Sequence, residues 1–356
     1  MKDVFKTLRN KTRQDRESTH GAASKSVGGD HGNDKDLLRS ATAGHLRWIV
    51  AMAYPVIEVP PDASTQLEQL GTKGKFWYRG EDDRQVLFKV GRPGTGENWA
   101  EKVCCEIARL LGLPHAEYEL ATWKAEPGVA SPSIVPKEGR LILGNELLAK
   151  VYEHEQYDPT AGYRDNQHTL RRVMAVLRNS AVNNPFGWPC PPEVGGAEGV
   201  FAGYLLLDAL VGNQDRHHEN WALIFSHEHG LTLAHTFDHA SSLGRNETDA
   251  ARNERLTTKD AGRSVAHYAA RARSALYGTH VSKYPLSTLD AFADARKIAL
   301  DAGQFWLHRL ADIEPNQFKH VLDQIPGDWI TGPAINFAYE MLMANRKRLL
   351  NLRDTL

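Results

Sequence analysis

Cysteine is scarce in this chain. Three cysteines in 356 residues, two of them adjacent (Cys104 and Cys105), make no disulfide framework, so a reducing cytoplasm is the expected compartment. Neither sign of charge is in excess. A formal net charge of −1 argues against bulk attraction to nucleic acid or to a membrane surface, and neither is expected as a direct partner. No apolar run approaches the length of a membrane span, and the N-terminus lacks the apolar core of a signal peptide. There is no internal repeat. The sixteen histidines are scattered without a repeated metal-ligand spacing, and no full G-x-G-x-x-G is present. At this length the chain can bury a sizeable core, as one large domain or two lobes.

The densest polar stretch is Gly212-Asn213-Gln214-Asp215-Arg216-His217-His218-Glu219-Asn220-Trp221. Val200 to Val211 before it reads as an apolar helix that Gly212 ends, and Trp221 to Phe225 after it reads as a buried strand. Burying such a loop is costly without a ligand or a full set of hydrogen bonds. Asp215 and Asn220 have the D-x-x-x-x-N spacing of a kinase catalytic loop, in which the Asp takes the acceptor proton and the Asn holds magnesium. Strands over 221–226 and 231–236, with His227 to Gly230 as the turn, would set residue 220 opposite 237. Asn220 and Asp238 then sit side by side as two oxygen ligands suited to magnesium. Phe237-Asp238-His239 takes the place of the kinase D-F-G. The bland alternative is a polar loop that merely links helix to strand. A metal site on His217 and His218 is disfavoured, because adjacent loop residues rarely converge and no third ligand is suitably spaced. His217 is expected to brace the loop or a phosphate, and Arg216 to pair with a nearby carboxylate.

Earlier in the chain, residues 1–40 read as a disordered arm, and Trp48 to Met52 as a strand closed by Pro60 and Pro61. Residues 64–123 read as a small nucleotide-covering lobe. Its glycine turn is Gly71-Thr72-Lys73-Gly74-Lys75, between two strands, and on its own this would pass for a surface hairpin. Lys89 interrupts the apolar strand Val86–Val90. The bland reading is a solvent-facing lysine on an edge strand, but Glu101 is the one charge on a packed stripe of the helix Glu97–Leu111 and wants a cation, so Lys89 is its natural partner. On that helix Lys102, Glu106 and Arg109 are read as a solvent face, and Cys104-Cys105 as core packing. Strands are expected at 117–123, 140–143 and 146–152, with a Pro/Gly-rich loop over 125–139 between them. The segment 155–168 reads as polar and mobile. From Arg252 onward the chain reads as helical, with a break over 322–333, and with Tyr268, Ala272, Ala275 and Leu276 on one stripe.

The ordered series Leu87-Phe88-Lys89, Glu101 to Pro114, Asn213 to Trp221, and Phe237 to Gly244 resembles the HipA-like serine/threonine protein kinases over residues 65–350. The resemblance implies an α+β, two-lobed protein-kinase-like fold, HipA- or phosphatidylinositol-kinase-like, with a small β-rich N-lobe (41–155) and a larger helical C-lobe (156–356). It implies Asp215 as catalytic base, Lys89 on the phosphates with Glu101 orienting it, and Asn220 and Asp238 as Mg2+ ligands. Gly71, Thr72 and Gly74 would form the phosphate loop, and a regulatory phosphosite at Ser64, Thr65 or Thr72 stays open. Val151, Tyr152 and Glu153 would be the hinge at adenine, with His217 and Phe237 also at the nucleotide. ATP and Mg2+ are the implied cofactors, a protein Ser/Thr hydroxyl the substrate, and a toxin-type growth regulator with an antitoxin protein the setting. The region before the phosphate loop is shorter than in the full-length toxins, so such a partner would be separate or different. The D-R-H-x-x-N core also occurs in phosphatidylinositol kinases. A kinase for a lipid or another small hydroxyl compound, and a non-catalytic nucleotide- or partner-binding module, are the competing readings.

Overall fold

Alternation of side chains along two paired strands places the first half of the site. In a computed structural model, which describes residues 53–63, 74–153, 157–158 and 165–354, β1 (Val56–Glu58), β2 (Lys75–Arg79), β3 (Gln85–Val90), β4 (Glu119–Trp123) and β5 (Glu126–Pro132) form one sheet. Its strand order is β1-β4-β5-β3-β2. Phe76 lies opposite Phe88 and Tyr78 opposite Val86, and these four fill one core with Val59, Ala121 and Ala130. Since successive residues face opposite sides, Lys75, Trp77, Gln85, Leu87 and Lys89 all turn to the other face, where they line a cavity. Because β3 lies between β5 and β2, Lys89 is not on an edge strand.

Between β3 and β4 runs α1 (Glu97–Leu111), which packs on β4 and β5 and ends at Gly112 with φ 75°. Its expected solvent face is in part buried: Lys102 and Glu106 are covered, and Lys102 Nζ pairs with Glu106 at 2.8 Å and Glu119 at 2.7 Å. The chain from α1 to β4 and the Tyr54 ring, 4.6 Å from Lys102 Nζ, cover that face.

The expected loop over 125–139 contains β5 instead. Lys124 and Ala125, both at positive φ (49° and 66°), make the two-residue hairpin turn. Gly128 reads as a breaker in sequence, but it marks a close approach of strands: a Cβ there would lie 2.3 Å from the Lys89 carbonyl oxygen.

After β5 the chain crosses to a second sheet of β6 (Arg140–Leu143), β7 (Val182–Asn183), β8 (Ala222–Ser226) and β9 (Gly230–Leu233), ordered β6-β8-β9-β7. The β8–β9 register is one residue off the expected one. Leu223 faces Leu233 and Ser226 faces Gly230, so the turn has three residues. Gly230 takes φ 68°, which closes such a turn, and Ser226 Oγ accepts the His229 N–H at 3.1 Å. Residue 220 therefore aligns toward 236 rather than 237.

The expected strand over 146–152 is a helix, α2 (Gly144–Val151). Glu, Leu, Leu, Ala and Lys in succession are strong helix formers. The first N–H groups, of Gly144 and Asn145, donate to the carbonyls of Trp221 and His218 at 3.0 Å each.

The remaining helices are α3 (Leu170–Leu177), α4 (Ala197–Val211), α5 (Asp249–Thr257), α6 (Val265–Ala270), α7 (Thr288–Ile298), α8 (Leu300–Asp312), α9 (Pro315–Asp323) and α10 (Gly332–Leu350). The central member is α4, apolar on every side and packed against α7, α8 and α10, as a fully buried helix must be. The helical reading of the C-terminal part fails over 271–287. That segment is irregular, tied by Ser274 N–H to Leu286 O (2.9 Å) and Leu286 N–H to Leu276 O (2.8 Å), although Ala272, Ala275 and Leu276 are buried as expected. The arm, the strand at Trp48–Met52, Ser64, Thr65 and most of 155–164 lie outside the described residues. No described helix is long and apolar enough to cross a membrane.

Candidate active site

A cavity of about 990 Å³ is lined by β2 and β3, the start of α1, the approach to β4, the end of β5 with the linker after it, β6, the loop after α4 and the loop after β9. Lys89, Asp215, His217, Asn220, Phe237 and Asp238 all line it.

Lys89 Nζ donates to Asp238 Oδ1 at 2.9 Å and stands 3.5 Å from Glu101 Oε2. Glu101 is 1% exposed. Its Oε1 accepts the His239 backbone N–H at 2.6 Å. Burial pushes the Glu101 carboxyl up to about 7, against the opposing pull of Lys89. Burial works to deprotonate Lys89, but Asp238 and Glu101 outweigh it and hold the ammonium well above its ordinary range.

The loop after α4 is built around Arg216. This side chain is wholly buried. It forks onto Asp208 of α4 (Nε to Oδ2 and Nη2 to Oδ1, each 2.8 Å), and it donates to Asn220 O at 2.6 Å and Thr236 Oγ1 at 3.0 Å. Asn213 Nδ2 donates to the same Asp208 at 2.8 Å. A bidentate pair with its remaining donors satisfied is the arrangement that a buried guanidinium requires. Arg216 thus joins α4, its own loop and the segment after β9.

Since Thr236 Oγ1 accepts from Arg216, its own proton is available to His239 Nε2, 2.8 Å away. The ring is kept neutral by burial, with Nδ1 toward Glu101 at 3.8 Å. One buried polar chain therefore runs from Asp208 to Lys89.

Asp215 is held from both ends. Its N–H donates to Asn213 Oδ1 at 3.1 Å, and its Oδ2 accepts Ser241 Oγ at 3.3 Å. Arg245 Nη2 donates to that same Ser241 oxygen at 3.1 Å, and its other nitrogen pairs with Glu97 of α1. His217 Nε2 lies 3.7 Å from Asp215 Oδ1. Burial raises the Asp215 carboxyl and nearby Asp238 adds to this, while His217 and Ser241 oppose it. Asn220 Nδ2 donates to Asp215 O at 2.6 Å, which leaves its Oδ1 as the atom to offer a cation. Asp238 adopts φ 59°, a left-handed conformation that Asp tolerates better than most residues, and its N–H donates to the buried Tyr118 hydroxyl at 3.2 Å.

Among the other expected site residues, Gly71 and Thr72 lie outside the described residues. Gly74 accepts the Val90 N–H at 2.8 Å through its carbonyl, beside the cavity-lining Lys75. Val151, Tyr152 and Glu153 do not line the cavity. They end and follow α2, where Tyr152 stacks under Arg172 and Glu153 pairs with Lys150 at 3.2 Å. Ser131 to Val135, the end of β5 and the linker after it, line the cavity instead. Asp208, Thr236, Ser241 and Arg245 were not anticipated as partners of the site. Asp208 carried a usable signal, as the lone charge in the middle of an apolar helix.

No family model matches the chain, and no curated protein matches it by sequence. Solved structures do. The proinflammatory kinase CtkA of Helicobacter pylori superposes with a TM-score of 0.63 at 20% identity, over 85% of this chain and 98% of that one. A chain of the Shewanella oneidensis toxin–antitoxin complex of HipA, HipB and operator DNA superposes with a TM-score of 0.50 at 12% identity, over 82% of this chain and 67% of that one. The fold is that of HipA-like kinases. Within this two-lobed HipA-like arrangement the first sheet and α1 form the β-rich part, and α3–α10 the helical part. The cavity lies where the first sheet meets β6 and the loops that follow α4 and β9.

Proposed function

We propose that the chain is a protein serine/threonine kinase that transfers the γ-phosphoryl group of Mg-ATP to a protein hydroxyl. The observation that carries this reading is Lys89 Nζ, held 2.9 Å from Asp238 and 3.5 Å from Glu101, in a cavity that Asp215 and Asn220 also line. A volume of about 990 Å³ suits a nucleotide with part of its acceptor. The donor set fits magnesium, since Asp238 and Asn220 Oδ1 are hard oxygen ligands, few in number, as this ion prefers when phosphate supplies the rest. When bound, the ion would offset charge on the phosphate oxygens.

In this reading Asp215 accepts the acceptor hydroxyl's proton, and Ser241 and Asn213 hold it in place. Lys89 steadies phosphate oxygens and Glu101 aims it. The segment Ser131–Val135 meets adenine in place of residues 151–153. The two lobes divide in the linker before β6, since β6 pairs with β8 of the second sheet. A toxin-type growth-regulating role with a separate antitoxin belongs to the same proposal.

The purified chain, incubated with γ-labelled ATP, magnesium and cell lysate, should place label on protein serine or threonine. Label confined to lipid or small-molecule fractions would replace this reading with the small-hydroxyl kinase. No transfer would favour the non-catalytic module.

A further inference from the structure

A second cluster lies at the chain reversal between α1 and β4. Cys105 comes from the second half of α1. The chain then leaves through Gly112, and His115 bridges to Thr236, with Ala116 N–H on Thr236 O at 2.9 Å and Thr236 N–H on Pro114 O at 3.0 Å. This pins the backbone of His115, and Glu117 follows two residues on.

The three side chains converge, with Cys105 buried and Glu117 half exposed. His115 is 9% exposed. Its Nδ1 lies 2.7 Å from the Leu113 carbonyl oxygen, which can only accept, so Nδ1 carries the proton and a neutral ring presents its lone pair at Nε2. That Nε2 is buried without a hydrogen-bond partner, 3.5 Å from Glu117 Oε1. Two acceptors facing each other at that distance ask for a cation between them. Cys105 Sγ lies 3.8 Å from Glu117 Oε2, and the three ligand atoms fall within 4.8 Å of one another.

A tetrahedral ion with bonds of about 2.0–2.1 Å to N and O and about 2.3 Å to S sets its ligands ~3.3–3.6 Å apart, so a small closure completes the geometry. The outer partners are in place as well. The Leu113 carbonyl fixes the imidazole tautomer, and Arg109 pairs with Glu117 Oε2. An adjoining cavity of about 880 Å³, lined by His115, Glu117 and His235 and sharing the wall Pro132–Val135 with the first, gives access from solvent.

We propose that Cys105, His115 and Glu117 form a zinc(II) site whose fourth position opens to this cavity. Thiolate, imidazole and carboxylate together select a borderline ion over magnesium. The site is independent of the kinase reading. Its ion would tie α1 and the approach to β4 to Thr236, whose hydroxyl lies between Arg216 and His239.

The test uses the full chain, freed of metal by a chelator and titrated with cobalt(II), then zinc(II), in excess magnesium. One equivalent of cobalt should bind with a thiolate-to-cobalt charge-transfer band, which zinc abolishes and magnesium does not. Cys105→Ser should lose that band. Because Cys105 is buried and its replacement could disturb folding, His115→Gln and Glu117→Gln are measured in parallel, with circular dichroism to show that they are folded. Each should weaken zinc binding at least tenfold. Three results would overturn the proposal: no stoichiometric binding at micromolar metal, a cobalt spectrum without the thiolate band, or unchanged affinity in folded His115→Gln. Displacement of cobalt by magnesium would also overturn it, since the ion would then sit with Asn220 and Asp238.

Discussion

The Glu101→Gln variant turns the buried carboxyl into a measurable pH effect. Glu101 is 1% exposed, and burial raises it from an ordinary 4.5 to about 7. The folded chain therefore holds a proton that the unfolded chain gives up. The associated stability is present below pH 4.5 and is lost as pH rises to about 7. At ~1.4 kcal/mol per pH unit the loss is ~3 kcal/mol, an order-of-magnitude figure. Glutamine keeps the acceptor for the His239 N–H and nearly the same shape, but has no proton to lose. The parent should therefore fall relative to Glu101→Gln across this window, by ~6 °C in melting temperature at ~2 °C per kcal/mol for a chain of this size. Differential scanning calorimetry of both proteins at half-unit steps from pH 4.5 to 7.5 measures this directly. Lys89 and Tyr118, which the Glu101 charge also raises, titrate above this window, so the difference reports chiefly on Glu101. Parallel curves would refute the buried, raised carboxyl and the packing of α1 against Lys89.

Three further outcomes follow from the same geometry. Lys89→Met should weaken ATP binding and lower phosphoryl transfer strongly, and combining it with Glu101→Gln should cost little more, because both remove one function; additive losses in single-turnover assays would contradict the pairing. Asp238→Ala should abolish most of the magnesium dependence of ATP binding in calorimetry, and an unchanged dependence would point to other ligands. Asp208→Asn should destabilise the chain by ~3–5 kcal/mol, since it leaves the Arg216 charge buried without its partner; a urea unfolding midpoint close to the parent's would show that Arg216 is held otherwise.

Local chemistry made much of this legible in the sequence. Both long helices that flank the site end where glycine permits, at Gly112 and Gly212, and both take the left-handed conformation there. The spacing from Asp215 to Asn220 placed both on one loop, and a charge within an apolar stripe was enough to pair Glu101 with Lys89. The misreadings share a cause, because each needed tertiary information. Pro127 and Gly128 look like loop residues until β3 and β4 are set on either side of them. The run Glu146 to Val151 has helical propensity, but its passage from apolar to polar residues also suits a strand. The turn between β8 and β9 is one residue shorter than its polar run suggests, because Gly230 belongs to the strand that it opens. Lys102 and Glu106 have the helical phase of a solvent face and are covered by distant parts of the chain, the return to β4 and the Tyr54 ring. The grouping of Cys105, His115 and Glu117 depends on that same reversal, which no linear spacing announces.

Asp215→Asn decides whether Asp215 serves as the base for phosphoryl transfer. Asparagine keeps an oxygen for Ser241 and changes neither volume nor backbone, so melting temperature and ATP affinity should match the parent. With labelled ATP, magnesium and an acceptor protein that the parent phosphorylates, the variant's transfer rate should fall about 10²–10⁴-fold, the usual range for loss of a positioned base. A rate comparable with the parent's would contradict the account.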